Sequence, residues 1–187
     1  MYDIRNIDEF AVGDRVSVSK TVTEADGAMY IAATGDFGPV HVDEGYARTT
    51  RFGERLAPGI LVAGICTSVL TAELVGTVGV SVRDSFWFTG AVRYGDTLTF
   101  EIWISAIDAE NRTVDWQASA RNEAGAEVLR ADARRNLLAQ NPHDSGPWRH
   151  RRLSGRQRLP LVPATKPPRS QRGRRRRPPA AVLRGDQ

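Results

Sequence analysis

Asp36 and His41 are the residues best equipped for chemistry in this sequence. They lie five positions apart in the segment 34–41 (TGDFGPVH), where Gly35, Gly38 and Pro39 shape the chain between them. A carboxylate and an imidazole fixed on one short loop can share a water molecule and move its protons. Adding or removing water across a double bond needs that equipment. Of the three histidines only His41 precedes residue 140; the others are His143 and His150.

The flanking sequence supplies elements that can hold such a loop. Segment 15–22 (RVSVSKTV) alternates apolar and polar residues with the period of a half-buried strand. Thr23 then offers an N-cap, with Glu24 and Asp26 in the first turn, for a helix over 25–33 that ends at Gly35. A brief helix is expected over 43–49, opened by Asp43 and Glu44. The strongest helix signal covers 58–74: Ile60, Leu61, Val62, Ile65, Val69, Leu70 and Leu74 surround its axis almost completely, so it should be buried. Pro58 suits its first position, and Gly59, Ala63 and Gly64 leave room for a close neighbour at its start. Strand-like runs follow over 78–88, 97–108, 113–122 and 127–138, separated by turn signals at 93–96, 108–112 and 122–125. This order predicts an α+β fold in which an antiparallel meander wraps one central helix.

Charge divides the 187-residue chain in two. Residues 1–139 carry 13 basic and 20 acidic side chains, whereas 140–187 hold twelve Arg and one Lys against Asp144 and Asp186. Eight of the ten prolines also lie beyond residue 140. The expectation is a folded domain over 1–139 and an Arg/Pro-rich, disordered tail over 140–187. The lone cysteine, Cys66, allows no internal disulfide and fits a cytoplasmic location. No apolar run is long enough for a membrane span, and the charged start does not read as a secretory signal.

On these residues the chain resembles the MaoC-like hydratase family, in its single hot-dog (R)-specific enoyl-CoA hydratase form. The family's motif is an aromatic, a spacer, then S/T-G-D-x-N-P-hydrophobic-H with a small residue soon after. Here Tyr30, Thr34, Gly35, Asp36, Phe37, Gly38, Pro39, Val40, His41 and Ala47 stand in those places. Downstream, 50–53 (TRFG), 56–61 (LAPGIL) and 88–98 (FTGAVRYGDTL) are similar to the family as well. The resemblance implies a hot-dog fold and a homodimer with two sites at its interface. It implies Asp36 and His41 as the catalytic pair, the Gly59 amide as the group that binds the thioester carbonyl, and Thr67 as a supporting residue. The expected reaction interconverts a 2-enoyl thioester and a (3R)-3-hydroxyacyl thioester carried on coenzyme A or an acyl carrier protein, with no other cofactor and no metal. Two residues depart from the pattern: Gly38 stands where the motif has asparagine, and Pro58 where a histidine commonly precedes the glycine.

Other readings of the same residues stay open. A hot-dog thioesterase would attack the carbonyl itself, but such chemistry has no use for the histidine of the pair. A non-catalytic acyl-thioester-binding subunit is allowed by Gly38. Nucleic-acid binding rests on the basic run 172–177 (RGRRRR) alone and is not expected of the domain. Thr67 could back-bond within its helix instead of supporting a site. Cys66 reads as core packing, Trp87, Trp103 and Trp116 as sheet packing, and Arg93 as an exposed turn cation.

Overall fold

The computed structural model describes residues 6–75 and 79–138. The tail over 140–187, with its basic run and two histidines, and residue 78 fall outside them. Strand β1 (Arg15–Thr21) leads into helix α1 (Glu24–Thr34), then a one-turn helix α2 (Pro39–Val42) and α3 (Glu44–Thr49). The buried helix α4 (Gly59–Val69) continues as a π-helical turn, Leu70–Val75. Four strands complete the domain: β2 (Gly79–Phe88), β3 (Thr97–Asp108), β4 (Thr113–Arg121) and β5 (Glu127–Leu137).

All five strands form one antiparallel sheet in the order β1-β3-β4-β5-β2. The meander expected from sequence therefore covers only β3, β4 and β5. Strand β2 returns to pair with β5 at the far edge, because partner choice over such separations is set by packing that strand periodicity does not encode. Two other expectations shift. Pro58 is the N-cap of α4 rather than its first residue, and Pro39–Val42 is helical where a loop was expected.

Large and small residues share the inner face. Leu98, Phe100, Ile102 and Ile104 of β3 are fully buried, and so are Val114 and Trp116 of β4. Ala118 pairs with Ala131, and Trp116 with Ala133. The alanine rows lower the sheet surface, so Val62, Ile65, Cys66 and Val69 of α4 can seat against it within one core cluster. Trp116 thus packs as expected and Trp103 is half-buried, but Trp87 on the edge strand is 42% exposed.

Helix α1 is held at its start by a reciprocal cap. The Thr23 hydroxyl accepts from Asp26 N (3.1 Å), while the Asp26 carboxylate accepts from Thr23 N (2.8 Å). Lys20 Nζ also donates to Asp26, at 2.9 Å. These donors, led by the Thr23 amide and then Lys20, pull the Asp26 carboxyl from its ordinary 3.8 to about 2. Its folded value lies below its unfolded one, so its stabilisation is complete above about pH 4 and fades as pH falls through about 2. Thr23→Ala should lower unfolding stability by about 1 kcal/mol in urea titrations at neutral pH. Asp26→Asn should flatten the decline of the urea midpoint between those two pH values.

Candidate active site

The chain between α1 and α2 carries Asp36. Helix α1 stops because Gly35 takes the left-handed conformation (φ 74°), which glycine reaches without the cost of a Cβ. Thr34 steadies the exit: its hydroxyl donates to Tyr30 O (2.8 Å) and accepts from Asp36 N (3.3 Å). Pro39 then starts α2, where its fixed φ suits the first helical position.

His41 is the third residue of α2, and its ring is fixed from outside that helix. Nδ1 lies 2.8 Å from Leu56 O. A carbonyl can only accept, so Nδ1 carries the proton, and in the neutral ring Nε2 is left as the acceptor. Leu56 N donates in turn to Val40 O (3.0 Å), and Leu56 bridges to Arg93 while Ala57 N donates to Val92 O (2.9 Å). The segment that grips His41 thus runs straight into α4. From Leu56 to Gly59 is three residues, a reach of at most about 10 Å.

Gly38 lies between the two side chains. Its backbone (φ −51°, ψ 125°) is open to any residue. A Cβ placed there would lie 3.1 Å from His41 Cδ2, 3.7 Å from His41 Nε2 and 3.4 Å from Asp36 Oδ1. Asp36 and His41 therefore flank one point in space, and both are partly exposed.

At the start of α4, Gly59 has the Phe88 ring against it, with Cδ1 and Cε1 each 3.1 Å from where a Cβ would be. The first amides of a helix have no acceptor within it and sit at the positive end of its dipole, so they suit an oxygen gaining negative charge. Thr67 lies two turns deeper, about 12 Å along the helix. Its hydroxyl donates to Gly64 O at 2.9 Å, the back-bond weighed from sequence. The structure thus gathers Asp36, Gly38, Pro39 and His41 around one turn and ties that turn to the segment entering Gly59, while the Thr67 hydroxyl is bonded within α4.

Beside His41 is a cavity of about 310 Å³ with Ile31, Phe37 and Tyr94 in its walls, and Glu24 and Arg55 also line it. Arg55 donates to Glu24 on α1 and, at 3.3 Å, to Glu44 on α3, and its guanidinium lies 5.4 Å from the Tyr94 ring centre. Leu56, Phe88, Tyr94 and Arg55 escape a reading for proton-transfer groups, since they act through a carbonyl, a ring or an ion pair. The glycines at 27, 38 and 59 were the available signal, each marking where another group comes close. Arg93 is ion-paired with Glu54, and Asp43 caps α3 by accepting from Tyr46 N (3.0 Å). Among the described residues no group of three or more His, Cys, Asp and Glu could hold a metal ion, and no helix is long and apolar enough to cross a membrane.

Known proteins are similar to this chain in sequence and in fold. The model of the MaoC like domain matches residues 11–125. An (R)-specific enoyl-CoA hydratase from Rhodospirillum rubrum is 34% identical over 121 residues, 65% of this chain and 83% of that one. The unliganded R-hydratase of Pseudomonas aeruginosa superposes with a TM-score of 0.67 at 28% identity, covering 75% of this chain and 95% of its own. An (R)-hydratase from Aeromonas caviae involved in PHA biosynthesis gives 0.66 at 26%, covering 69% and 98%. With its five-stranded antiparallel sheet around a central helix and its motif on one turn, this chain has the hot-dog fold and belongs to the MaoC-like family.

Proposed function

We propose that this protein is a carbon–oxygen lyase that hydrates 2-enoyl thioesters to (3R)-3-hydroxyacyl thioesters and catalyses the reverse dehydration. The observation that carries the reading is the fixed imidazole: Nδ1 is committed to Leu56 O, so Nε2 is free to accept a proton, with the Asp36 carboxylate across Gly38. A water held between them attacks the β-carbon. One member of the pair takes its proton, and that proton, relayed across the pair, is delivered to the α-carbon, so both members end in the state in which they began. The thioester carbonyl, whose oxygen gains charge as the double bond is consumed, is set against the first amides of α4 at Gly59. Thr67, whose hydroxyl donates to Gly64 O, is given a supporting role from within α4. Coenzyme A or an acyl carrier protein arrives as part of the substrate, and the chemistry asks for no further cofactor. The relatives named as enoyl-CoA hydratases support this reading.

Asp36→Asn and His41→Ala should each lower turnover by at least roughly a hundredfold, the low end for loss of a general acid or base. Loss of enone absorbance is the readout, with free thiol followed in parallel. Thiol release without enone loss would identify a thioesterase instead, and neither signal would leave a binding subunit. A folded variant that keeps most of its turnover would remove that residue from the mechanism.

The working form is a homodimer in this proposal. Strand β2 ends the sheet, and among the described residues nothing pairs with its outer edge over Gly79–Phe88. Along that flank Val82 is 59% exposed and Ile60 on α4 57%. A long, apolar free edge invites a second strand. Light scattering should report a dimer at micromolar concentration, and removing the residues after 140 should leave both the dimer and turnover intact. An active monomer, or loss of activity on truncation, would overturn this part. The cytoplasmic location belongs to the same proposal and is supported by the buried, unbridged Cys66.

Gly38→Asn tests the departure from the motif. The negative φ admits asparagine, and the 3.1 Å contact with His41 Cδ2 requires only a small shift of the ring. The added amide should brace the turn and raise turnover on straight and branched enoyl thioesters alike. Selective loss on branched substrates would show that Gly38 makes room for bulk.

A further inference from the structure

Near His41, the ring of Tyr94, from the turn before β3, packs closely against Gly27 of α1. A Cβ on Gly27 would lie 2.5 Å from the Tyr94 hydroxyl oxygen and 2.7 Å from Cζ, so the phenol tip fills the volume that any other residue would need. Gly27 is buried in the body of α1, where glycine is the poorest helix former after proline. Something must offset that cost, and the far end of Tyr94 shows what. Its hydroxyl donates to His41 O at 3.4 Å. Burial first, then the charge of Glu24, pushes the phenol's pKa up, so it remains a donor at working pH.

The His41 carbonyl needs such a donor. Helix α2 is a single turn, too short to persist alone, and its carbonyls must find partners outside it. Pro39 O accepts from Asp43 N, and Val40 O accepts from Leu56 N. His41 O accepts from Tyr94. The turn that carries the imidazole is therefore held on one side by Leu56 and on the other by Tyr94, whose ring is steadied in turn by Arg55.

We propose that Tyr94 is a positioning residue for His41, and that Gly27 is glycine in order to admit it. This rests on the reading of Asp36 and His41 as the proton-transfer pair. Tyr94 acts through the backbone of His41 and does not touch the reacting atoms.

The test uses the full chain and four variants. Tyr94→Val should lower kcat roughly ten- to a hundredfold, as expected for a displaced catalytic group, with KM unchanged across acyl lengths. Tyr94→Phe, which keeps the ring and loses one hydrogen bond, should cost roughly three- to tenfold. Gly27→Ala should resemble Tyr94→Val, and Gly27→Ala/Tyr94→Val should be no worse than Tyr94→Val alone, because both act through one contact. In parallel, 15N NMR of the His41 ring without substrate should show the Nδ1-protonated tautomer in the parent and a tautomer mixture in Tyr94→Val. Variants that lose thermal stability but keep kcat would reduce Tyr94 to packing and overturn the proposal. So would a KM that rises with acyl length at constant kcat, since Tyr94 would then be a wall of the substrate cavity. If the parent chain hydrates nothing, the functional reading falls by itself, and the NMR result alone decides whether Tyr94 positions the ring.

Discussion

The hydrogen bond from His41 Nδ1 to Leu56 O is the constraint on which the site depends. It selects the tautomer and the orientation of the ring. It also fastens a helix of four residues to the segment that leads into the start of α4. An imidazole on a lone turn would sample many orientations, and general acid–base chemistry tolerates little of that. The remaining ties converge on the same place: Leu56 N to Val40 O, the bridge from Leu56 to Arg93, and Ala57 N to Val92 O. The imidazole is thus anchored in the segment entering α4 and in the connection between β2 and β3 rather than in its own turn.

A second theme is the use of absent side chains. Alanines on β4 and β5 let α4 settle onto the sheet. Gly59 gives its Cβ volume to Phe88, and Gly27 gives its own to Tyr94. In each case a large ring arriving from one element occupies space surrendered by another. Close packing makes such fits costly to alter from either side, so each pair behaves as a unit.

Much of this could be read in the sequence because it is local. The Thr23 cap, the stop at Gly35, the apolar circumference of α4 and the spacing of Asp36 and His41 depend on neighbours within a few residues. What escaped is long-range. Nothing in 79–88 says that its partner is β5 rather than β3, and nothing in Tyr94 says that its hydroxyl meets a carbonyl fifty-three positions earlier. The exposure of Trp87 has the same origin: alternation gives a strand two faces, but only the sheet order makes β2 an edge. The helix at Pro39–Val42 was hidden because one turn is too short to show a period.

Cys66 has a practical meaning for how the reaction can be watched. It is the only cysteine in the chain and is buried on α4. Burial, with Asp84 adding to it, pushes its thiol up to about 12. The thiolate is the reactive form, so the folded protein offers almost none to a sulfhydryl reagent. A chromogenic thiol titration run beside the enone measurement then registers carrier released from substrate and not the protein itself. The same silence makes the residue an internal alarm: labelling at Cys66 would signal that the helix has come away from the sheet.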